Sequence, residues 1–234
     1  MNPTANLYLM TKQCKFFILY RTALLIGLLL LIYFHSPILI IVCLVIGLAF
    51  ARKLCDAELK NLSPYGGLAN WVTFFRGFFL LLLLFFFSYC SNLQIALVGL
   101  LLSAADVFDG YLARRLQAET KMGAYLDEDV DALYIICIGY ILYTKQLCGF
   151  YILLPAFVKY AKDITVTFFA NFFCKPIKMP VAKWIAGISF LIYLTPFIFT
   201  GFIYPFLTKG SSIALCISLV AEMTLRFGRL SKNK

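Results

Sequence analysis

Long apolar stretches separated by short polar segments dominate the chain. A helix needs about 20 residues to cross the roughly 30 Å apolar interior of a bilayer, and this length divides the sequence into successive candidate helices. One pair precedes a polar linker, and six more stretches follow the linker. The pair covers residues 15–34 and 36–51, and the later stretches cover 70–90, 93–117, 121–144, 148–173, 180–204 and 208–227.

This pattern predicts an all-α integral membrane protein, in which an N-terminal apolar helical hairpin precedes a core of six helices. We place the hairpin in residues 1–51, without assigning it a role, and the transmembrane domain in residues 69–234. Residues 52–68 form a linker and an interfacial segment, because the Pro-Tyr-Gly-Gly sequence at 64–67 interrupts any regular element there.

The composition agrees with a membrane protein. Only 14% of the 234 residues are charged and 62% are hydrophobic, whereas soluble domains contain about 25% charged residues. The net charge is +10, but Lys and Arg lie at the ends of apolar stretches, which indicates attraction to lipid headgroups rather than to nucleic acid. The eight cysteines include no CxxC pair, so we interpret them as apolar fillers rather than as a zinc site or a disulfide framework.

The basic residues also predict the orientation of the chain. Most of them fall on one side of the predicted helices, including Arg52, Lys53 and Lys121, whereas the opposite loops hold little beyond Lys145 and Lys209. Under the positive-inside rule, both termini and the connection between the second and third core helices face the cytoplasm. We expect the protein to lie in a bacterial inner membrane.

Four aspartates lie within the second and third helices of the predicted core. A carboxylate inside a membrane segment costs about 2.5–3.5 kcal/mol on insertion scales, so four of them need a compensating partner. Asp106 and Asp109 are three residues apart, and Asp127 and Asp131 are four apart, so each pair lies on one face of its helix. A short turn near residue 120 makes the two helices neighbours. Oxygen ligands in this number suit Mg²⁺, Mn²⁺ or Ca²⁺.

Small and basic residues accompany the aspartates. Gly110 and Ala113 share the face of Asp106 and leave room beside it, and Arg114 offers a guanidinium fork that suits phosphate. These residues favour a diphosphate held through two divalent ions, with a carboxylate as general base toward a hydroxyl. A divalent-cation transporter and a scaffold without catalysis are the rival functions. A transporter usually shows two related halves, and no internal repeat stands out in this sequence.

The complete spacing is D-x2-D-G-x2-A-R-x8-G-x3-D-x3-D, and it runs without substitution from Asp106 through Gly123 to Asp131. It resembles the signature of the CDP-alcohol phosphatidyltransferase family. The six-helix layout and the sequence NWVTFFR at residues 70–76 are similar to that family as well, so the resemblance covers residues 65–227 approximately. The N-terminal hairpin lies outside it.

The resemblance implies that a phosphatidyl group moves from a CDP-linked lipid, expected to be CDP-diacylglycerol, to the hydroxyl of a small alcohol, and that CMP is released. It implies that two Mg²⁺ or Mn²⁺ ions are held by Asp106, Asp109, Asp127 and Asp131, and that Asp131 is also the catalytic base. It further implies that the CDP moiety is bound at Gly110, Ala113, Arg114 and Gly123. A homodimer is a candidate assembly.

The acceptor alcohol is left open. Members of the resembled family use glycerol 3-phosphate, inositol or its phosphate, serine, choline or ethanolamine. A phosphorylated polyol needs additional cations, and the available ones are Lys159, Lys162, Arg115, Lys175 and Lys178. The sequence DEDVDAL at residues 127–133 departs from the D-P-x-x-D-K run of phosphatidylglycerophosphate synthases, which weakens that particular assignment.

Other ionisable residues have two interpretations each. Lys162 and Asp163 form a structural ion pair or belong to an acceptor site, and Glu222 is expected to pair with Arg226 one turn later. The start of the first core helix holds three polar residues that line the nucleotide site or act as topology signals, namely Asn70, Thr73 and Arg76.

Overall fold

The computed structural model describes residues 21–34, 38, 68–115, 121–168, 180–199, 201 and 203–232. All regular secondary structure among them is helical, which confirms the all-α prediction for these ranges. The helices are α1 (Arg21–Phe34), α2 (Leu68–Phe86), α3 (Asn92–Arg115), α4 (Lys121–Thr144), α5 (Leu154–Phe168), α6 (Pro180–Ile192), α7 (Thr195–Ile198) and α8 (Ile203–Lys232). Residues 1–20 and 39–67 lie outside the described residues, so the hairpin as a whole and the linker stay predictions.

The chain divides into two compact units. The first, which we call the aspartate unit, contains Leu62–Ala156 and Pro180–Cys216 and therefore includes α2, α3, α4, α6, α7 and the first part of α8. The second, which we call the terminal unit, contains Met1–Asn61, Phe157–Met179 and Ile217–Lys234. Its described helices are α1, most of α5 and the second part of α8.

Helix α4 forms the centre of the aspartate unit. Every residue from Ala132 to Leu142 is buried, and both α2 and the 3₁₀ helix Phe150–Leu153 pack against α4. A helix that is apolar on all sides is stable where neighbours surround it, and α4 spans the whole of the predicted range 121–144. Because α2 also packs against α3, it contacts both of the other helices that carry the polar site.

Local sequence signals set the end points of α3 and α4. Ser91 and Gln94 form a capping box before α3, in which the backbone N–H of Ser91 donates to Oε1 of Gln94 (2.8 Å) and the backbone N–H of Gln94 donates to Oγ of Ser91 (3.3 Å). After α4, Gln146 has a φ of +58°, and the N–H of Leu147 donates to the carbonyl of Leu142 (3.0 Å). The left-handed conformation of Gln146 stops the helix, and the N–H of Leu147 satisfies one of the last carbonyls of α4.

Two of the predicted stretches are not continuous helices, which corrects the expectation from apolar length. Residues 148–173 open with a turn and the 3₁₀ helix Phe150–Leu153 before α5 begins. Residues 180–204 are interrupted by a turn between α6 and α7, and Pro196 lies in the first turn of α7. Proline lacks a backbone N–H and clashes with the preceding turn, so it fits the start of a helix but not its interior.

Within the part of the chain that the structure describes, two helical segments are long and apolar enough to cross a membrane by length and composition, Trp71–Tyr89 and Ile203–Leu225. Shorter apolar helices are Arg21–Phe34, Asn92–Phe108 and Trp184–Ile198. Helix α2 also exposes the rings of Phe74, Phe75, Phe78, Phe79, Phe85 and Phe86. Soluble monomers rarely expose so much contiguous apolar surface.

Candidate active site

Three of the four motif aspartates lie together in the aspartate unit. One carboxylate oxygen each from Asp106, Asp127 and Asp131 lies within 4.8 Å of the other two. Asp106 comes from the second half of α3, and the other two come from the first half of α4, so the acidic residues lie in the adjoining halves of two consecutive helices. The side chain of Asp109 lies outside the described residues. We call Asp106, Asp127 and Asp131 the acidic cluster.

A buried arginine from α2 contacts the whole acidic cluster. Nη1 of Arg76 donates to Oδ1 of Asp106 and, at 3.4 Å, to Oδ1 of Asp127, while Nη2 donates to Oδ1 of Asp131. The Arg76 side chain is only 1% exposed, whereas that of Asp127 is 46% exposed. The guanidinium is therefore buried beneath an acidic surface that solvent still reaches.

Close packing of α2 on α4 places the guanidinium there. Gly77 follows Arg76 in α2, and a Cβ atom at Gly77 would lie 3.3 Å from Cγ2 of Val130. Val130 in turn precedes Asp131 in α4. Because Gly77 has no side chain, α2 approaches α4 directly beside the ion pair between Arg76 and Asp131.

A hydrogen-bonded link joins α3 to α4 about one turn from the carboxylates. The hydroxyl oxygens of Ser103 and Tyr134 lie 3.0 Å apart, and they lie 3.0 and 3.3 Å from the carbonyl oxygen of Gly99, respectively. Ser103 precedes Asp106 by three residues, and Tyr134 follows Asp131 by three. Since residues three apart share a helix face, this link holds the two acidic faces toward each other.

The acidic cluster has the ligand chemistry of a hard divalent cation. Mg²⁺ and Mn²⁺ prefer carboxylate oxygens, and three such oxygens lie within 4.8 Å of one another. Zinc sites instead rely mostly on Cys and His, and the described part of the cluster contains neither. The partial exposure of the three carboxylates also gives an ion and a substrate access to them.

A comparison with known protein families agrees with this site. Residues 67–224, well over half of the chain, match the family model described as CDP-alcohol phosphatidyltransferase. The chain belongs to the CDP-alcohol phosphatidyltransferase family. The matched range contains the complete spaced motif and the acidic cluster, so the family resemblance inferred from the sequence is confirmed. No solved structure matches the chain.

Curated relatives cover part of this family match. A protein from Sodalis glossinidius (strain morsitans), named CDP-diacylglycerol–glycerol-3-phosphate 3-phosphatidyltransferase, is 32% identical over 102 residues, which are 42% of this chain and 55% of that protein. A protein of the same name from Wigglesworthia glossinidia brevipalpis is 35% identical over 72 residues, 31% of this chain and 39% of that protein. An uncharacterized protein from Aquifex aeolicus (strain VF5) is 42% identical over 83 residues, 35% of this chain and 42% of that protein. The chain thus spans about half the length of the curated relatives it matches.

The remaining residues of the family motif belong to the same two helices. Helix α3 contains Gly110, Ala113 and Arg114, and helix α4 contains Gly123. Their side-chain surroundings are outside the described residues. Their expected roles at the nucleotide therefore stay predictions.

The basic residues considered for the acceptor have different surroundings. Lys159 and Lys162 belong to the terminal unit, where their Nζ atoms lie 3.2 and 3.4 Å from the carboxylate of the buried Asp163. Nζ of Lys162 also lies 2.8 Å from Oε2 of Glu222. Arg115 is exposed at the end of α3 in the aspartate unit. The described contacts of the two lysines form an ion network within the protein.

Two contacts of this network join different helices, so the spacing of residues within one helix does not predict them. The sequence points to Arg226 as the partner of Glu222, whereas the described partner is Lys162 on another helix; the side chain of Arg226 lies outside the described residues. In addition, Nη1 of Arg21 donates to the backbone carbonyl of Asp163 at 3.4 Å. Helix α1, which precedes the family match, is therefore connected to α5 within the terminal unit.

The spacing of residues along the chain did not predict that Arg76 pairs with the aspartates. A signal for it exists, because Arg76 is the one charged residue in the sequence of α2, LANWVTFFRGFFLLLLLFF. An ionisable residue inside an apolar helix is a functional candidate. Its partners on α3 and α4 follow only from the packing of the three helices.

Proposed function

We propose that this protein is a membrane-embedded CDP-alcohol phosphatidyltransferase of phospholipid biosynthesis. It moves a phosphatidyl group from a CDP-linked lipid, CDP-diacylglycerol in the first instance, to the hydroxyl of a small alcohol and releases CMP. One observation carries the proposal: the complete family motif lies in the matched range, and three of its aspartates converge within 4.8 Å.

The four motif aspartates are proposed to hold two divalent ions. Asp106, Asp127 and Asp131 supply oxygens that already lie close together, and Asp109 is one helical turn from Asp106 in α3. When bound, Mg²⁺ or Mn²⁺ neutralises the donor diphosphate and makes its phosphorus more electrophilic. Gly110, Ala113, Arg114 and Gly123 are proposed to bind the CDP moiety, with Arg114 directed to phosphate oxygens.

Asp131 is proposed to act as the general base. Its carboxylate removes the proton from the acceptor hydroxyl while the hydroxyl oxygen bonds to the phosphorus of the phosphatidyl group. The bond between that phosphorus and the bridging oxygen breaks, and the bridging oxygen leaves with CMP. The side chain of Asp131 is 32% exposed, and its ion pair with Arg76 uses Oδ1, which is compatible with approach of an acceptor.

A phosphorylated polyol is the proposed class of acceptor. The relatives from Sodalis and Wigglesworthia have glycerol 3-phosphate in their names. The chain also has an excess of Lys and Arg, with a net charge of +10, and such residues suit a phosphorylated acceptor. Arg115, exposed at the end of α3 in the aspartate unit, is the proposed ligand of the acceptor phosphate.

The membrane location is part of the same proposal. The two long apolar segments, the shorter apolar helices and the exposed phenylalanine rings of α2 support insertion in a bilayer. The distribution of Lys and Arg supports a cytoplasmic active site and cytoplasmic termini, and we place the protein in a bacterial inner membrane. The homodimer considered from the sequence has no support among the described residues.

The proposal is tested by CMP release. Purified protein in lipid nanodiscs is incubated with CDP-diacylglycerol, Mg²⁺ and one acceptor at a time from a panel that contains glycerol 3-phosphate, inositol phosphate, inositol, serine, ethanolamine and choline. CMP release with a phosphorylated polyol is the expected result. Release with an unphosphorylated acceptor would correct the acceptor class, and no release with any acceptor, together with uptake of Mn²⁺ into proteoliposomes, would favour the cation transporter.

A further inference from the structure

Arg76 contacts all three aspartates of the acidic cluster, although Arg76 is not part of the family motif. Its side chain is 1% exposed, and it is the one charged residue in the sequence of α2. A buried guanidinium in an apolar helix is costly unless carboxylates compensate it. The position of Arg76 beneath three carboxylates supplies that compensation.

The hydrogen bonds of Arg76 go to the same three carboxylates that are placed to bind a metal. Nη1 contacts Oδ1 of Asp106 and Oδ1 of Asp127, and Nη2 contacts Oδ1 of Asp131. These three residues are also the ones whose carboxylate oxygens lie within 4.8 Å of one another. The guanidinium and a divalent cation bound at the cluster therefore interact with the same three carboxylates.

Electrostatics makes the two cations competitors. Three carboxylates within 4.8 Å repel one another, and a guanidinium that binds all three reduces this repulsion. A divalent ion among the same carboxylates reduces it as well, and it also repels a guanidinium a few ångströms away. Each cation thus lowers the stabilisation that the other can provide.

We propose that Arg76 is a built-in counter-ion of the metal site. Arg76 stabilises the three carboxylates close together, and its interaction with them weakens when a divalent ion binds to the same carboxylates. Arg76 is in this sense a positioning residue rather than a catalytic one. The inference rests on the proposed function, because it requires divalent ions at the acidic cluster. It predicts negative coupling between the Arg76 charge and the bound metal.

The test compares how much Mg²⁺ stabilises four proteins. Wild type, Arg76→Met, Arg76→Lys and Arg21→Met are purified in Mg²⁺, and their melting temperatures in nanodiscs are measured in EDTA and in saturating Mg²⁺ at one fixed pH. Arg21→Met is the matched control, since Arg21 is a buried arginine whose described hydrogen bond is to the carbonyl of Asp163 rather than to the acidic cluster. Mn²⁺ affinity is measured in parallel by electron paramagnetic resonance.

The Mg²⁺-dependent rise in melting temperature is expected to be larger in Arg76→Met than in wild type, intermediate in Arg76→Lys, and unchanged in Arg21→Met. The Mn²⁺ dissociation constant of Arg76→Met is expected to be at least about fivefold lower than that of wild type, the lower end of common coupling between two ligands. If Arg76→Met does not fold even in Mg²⁺, Arg76→Lys against wild type decides the same question.

An equal or smaller Mg²⁺ effect in the Arg76 variants, with equal or weaker Mn²⁺ binding, would overturn the inference and leave the proposed function intact. The absence of any Mg²⁺ effect and of Mn²⁺ binding in wild type would instead remove the metal site itself, and both proposals would fail. These outcomes are distinguishable because the first requires metal binding to the wild type and the second excludes it.

Discussion

Gly77 on α2 and Val130 on α4 mark a close approach of the two helices, since a Cβ atom at Gly77 would lie 3.3 Å from Cγ2 of Val130. Their chain neighbours, Arg76 and Asp131, form an ion pair in the candidate active site. The approach of the two helices and the ion pair are therefore coupled, because moving Gly77 away from Val130 also moves Arg76 away from Asp131.

Substitution of Gly77 is expected to disrupt the site through packing. A leucine at this position forces Val130 or the two helices to shift, because its Cβ alone would lie 3.3 Å from Cγ2 of Val130. Overpacking of this kind costs about 1–3 kcal/mol. Gly77→Leu should lower both the melting temperature and the rate of CMP release. Gly187→Leu is the matched control, because a Cβ atom at Gly187 meets no atom within 4 Å and the variant should retain activity. Equal losses in the two variants would contradict the role given to the Gly77 contact.

Replacement of the proposed base should remove catalysis without unfolding the protein. Asp131→Asn keeps the size of the side chain but cannot accept the hydroxyl proton, and loss of a general base lowers rates by about 10²- to 10⁴-fold. CMP release measured at saturating Mg²⁺ should fall by at least the lower value. Asp129→Asn, two residues earlier and off the face of Asp131, should behave as wild type. Normal turnover in Asp131→Asn rejects the base assignment.

Removal of divalent ions should abolish activity reversibly. In EDTA the donor diphosphate has no metal to neutralise it, so CMP release should stop, and it should return when Mg²⁺ or Mn²⁺ is added in excess. The measurement is a time course of CMP release through chelation and re-addition, with protein integrity followed by circular dichroism. Activity that persists in EDTA would contradict the two-metal proposal.

The ion network of the terminal unit should contribute to stability. Lys162 is buried and lies 2.8 Å from Glu222, and removal of one partner of a buried ion pair costs about 3–5 kcal/mol. Lys162→Met should therefore lower the melting temperature strongly. The double variant Lys162→Met with Glu222→Gln should lose less than the sum of the single variants, because the second substitution removes the carboxylate left by the first. Strict additivity would show that the pair is not coupled.

The acceptor proposal makes a separate prediction for Arg115, which is exposed and so should matter little for stability. If Arg115 binds the acceptor phosphate, Arg115→Gln should raise KM for a phosphorylated acceptor and leave KM for CDP-diacylglycerol unchanged. Arg115→Lys should recover part of the loss because it keeps the charge. A KM for the acceptor that does not change in Arg115→Gln removes this residue from the acceptor site.

Helix boundaries show how far apolar length predicts the fold. Helix α4 covers the predicted range 121–144 in full, and its continuous buried stretch from Ala132 to Leu142 supports it. The stretch 180–204 is interrupted instead, because the position of Pro196 overrides the apolar pattern. Apolar length alone does not register such local constraints on the backbone.

The sequence by itself determined the helical class, the family and the acidic motif. Each depends on local information: the length of apolar stretches, the spacing of aspartates along a helix, and a fixed order of residues. Only the tertiary structure decided that Arg76 binds the acidic cluster and that Lys162 pairs with Glu222. Arg76 and Asp106 are 30 residues apart in the sequence, and Lys162 and Glu222 are 60 residues apart. Contacts at such separations depend on how whole helices pack, and helical periodicity does not specify that packing.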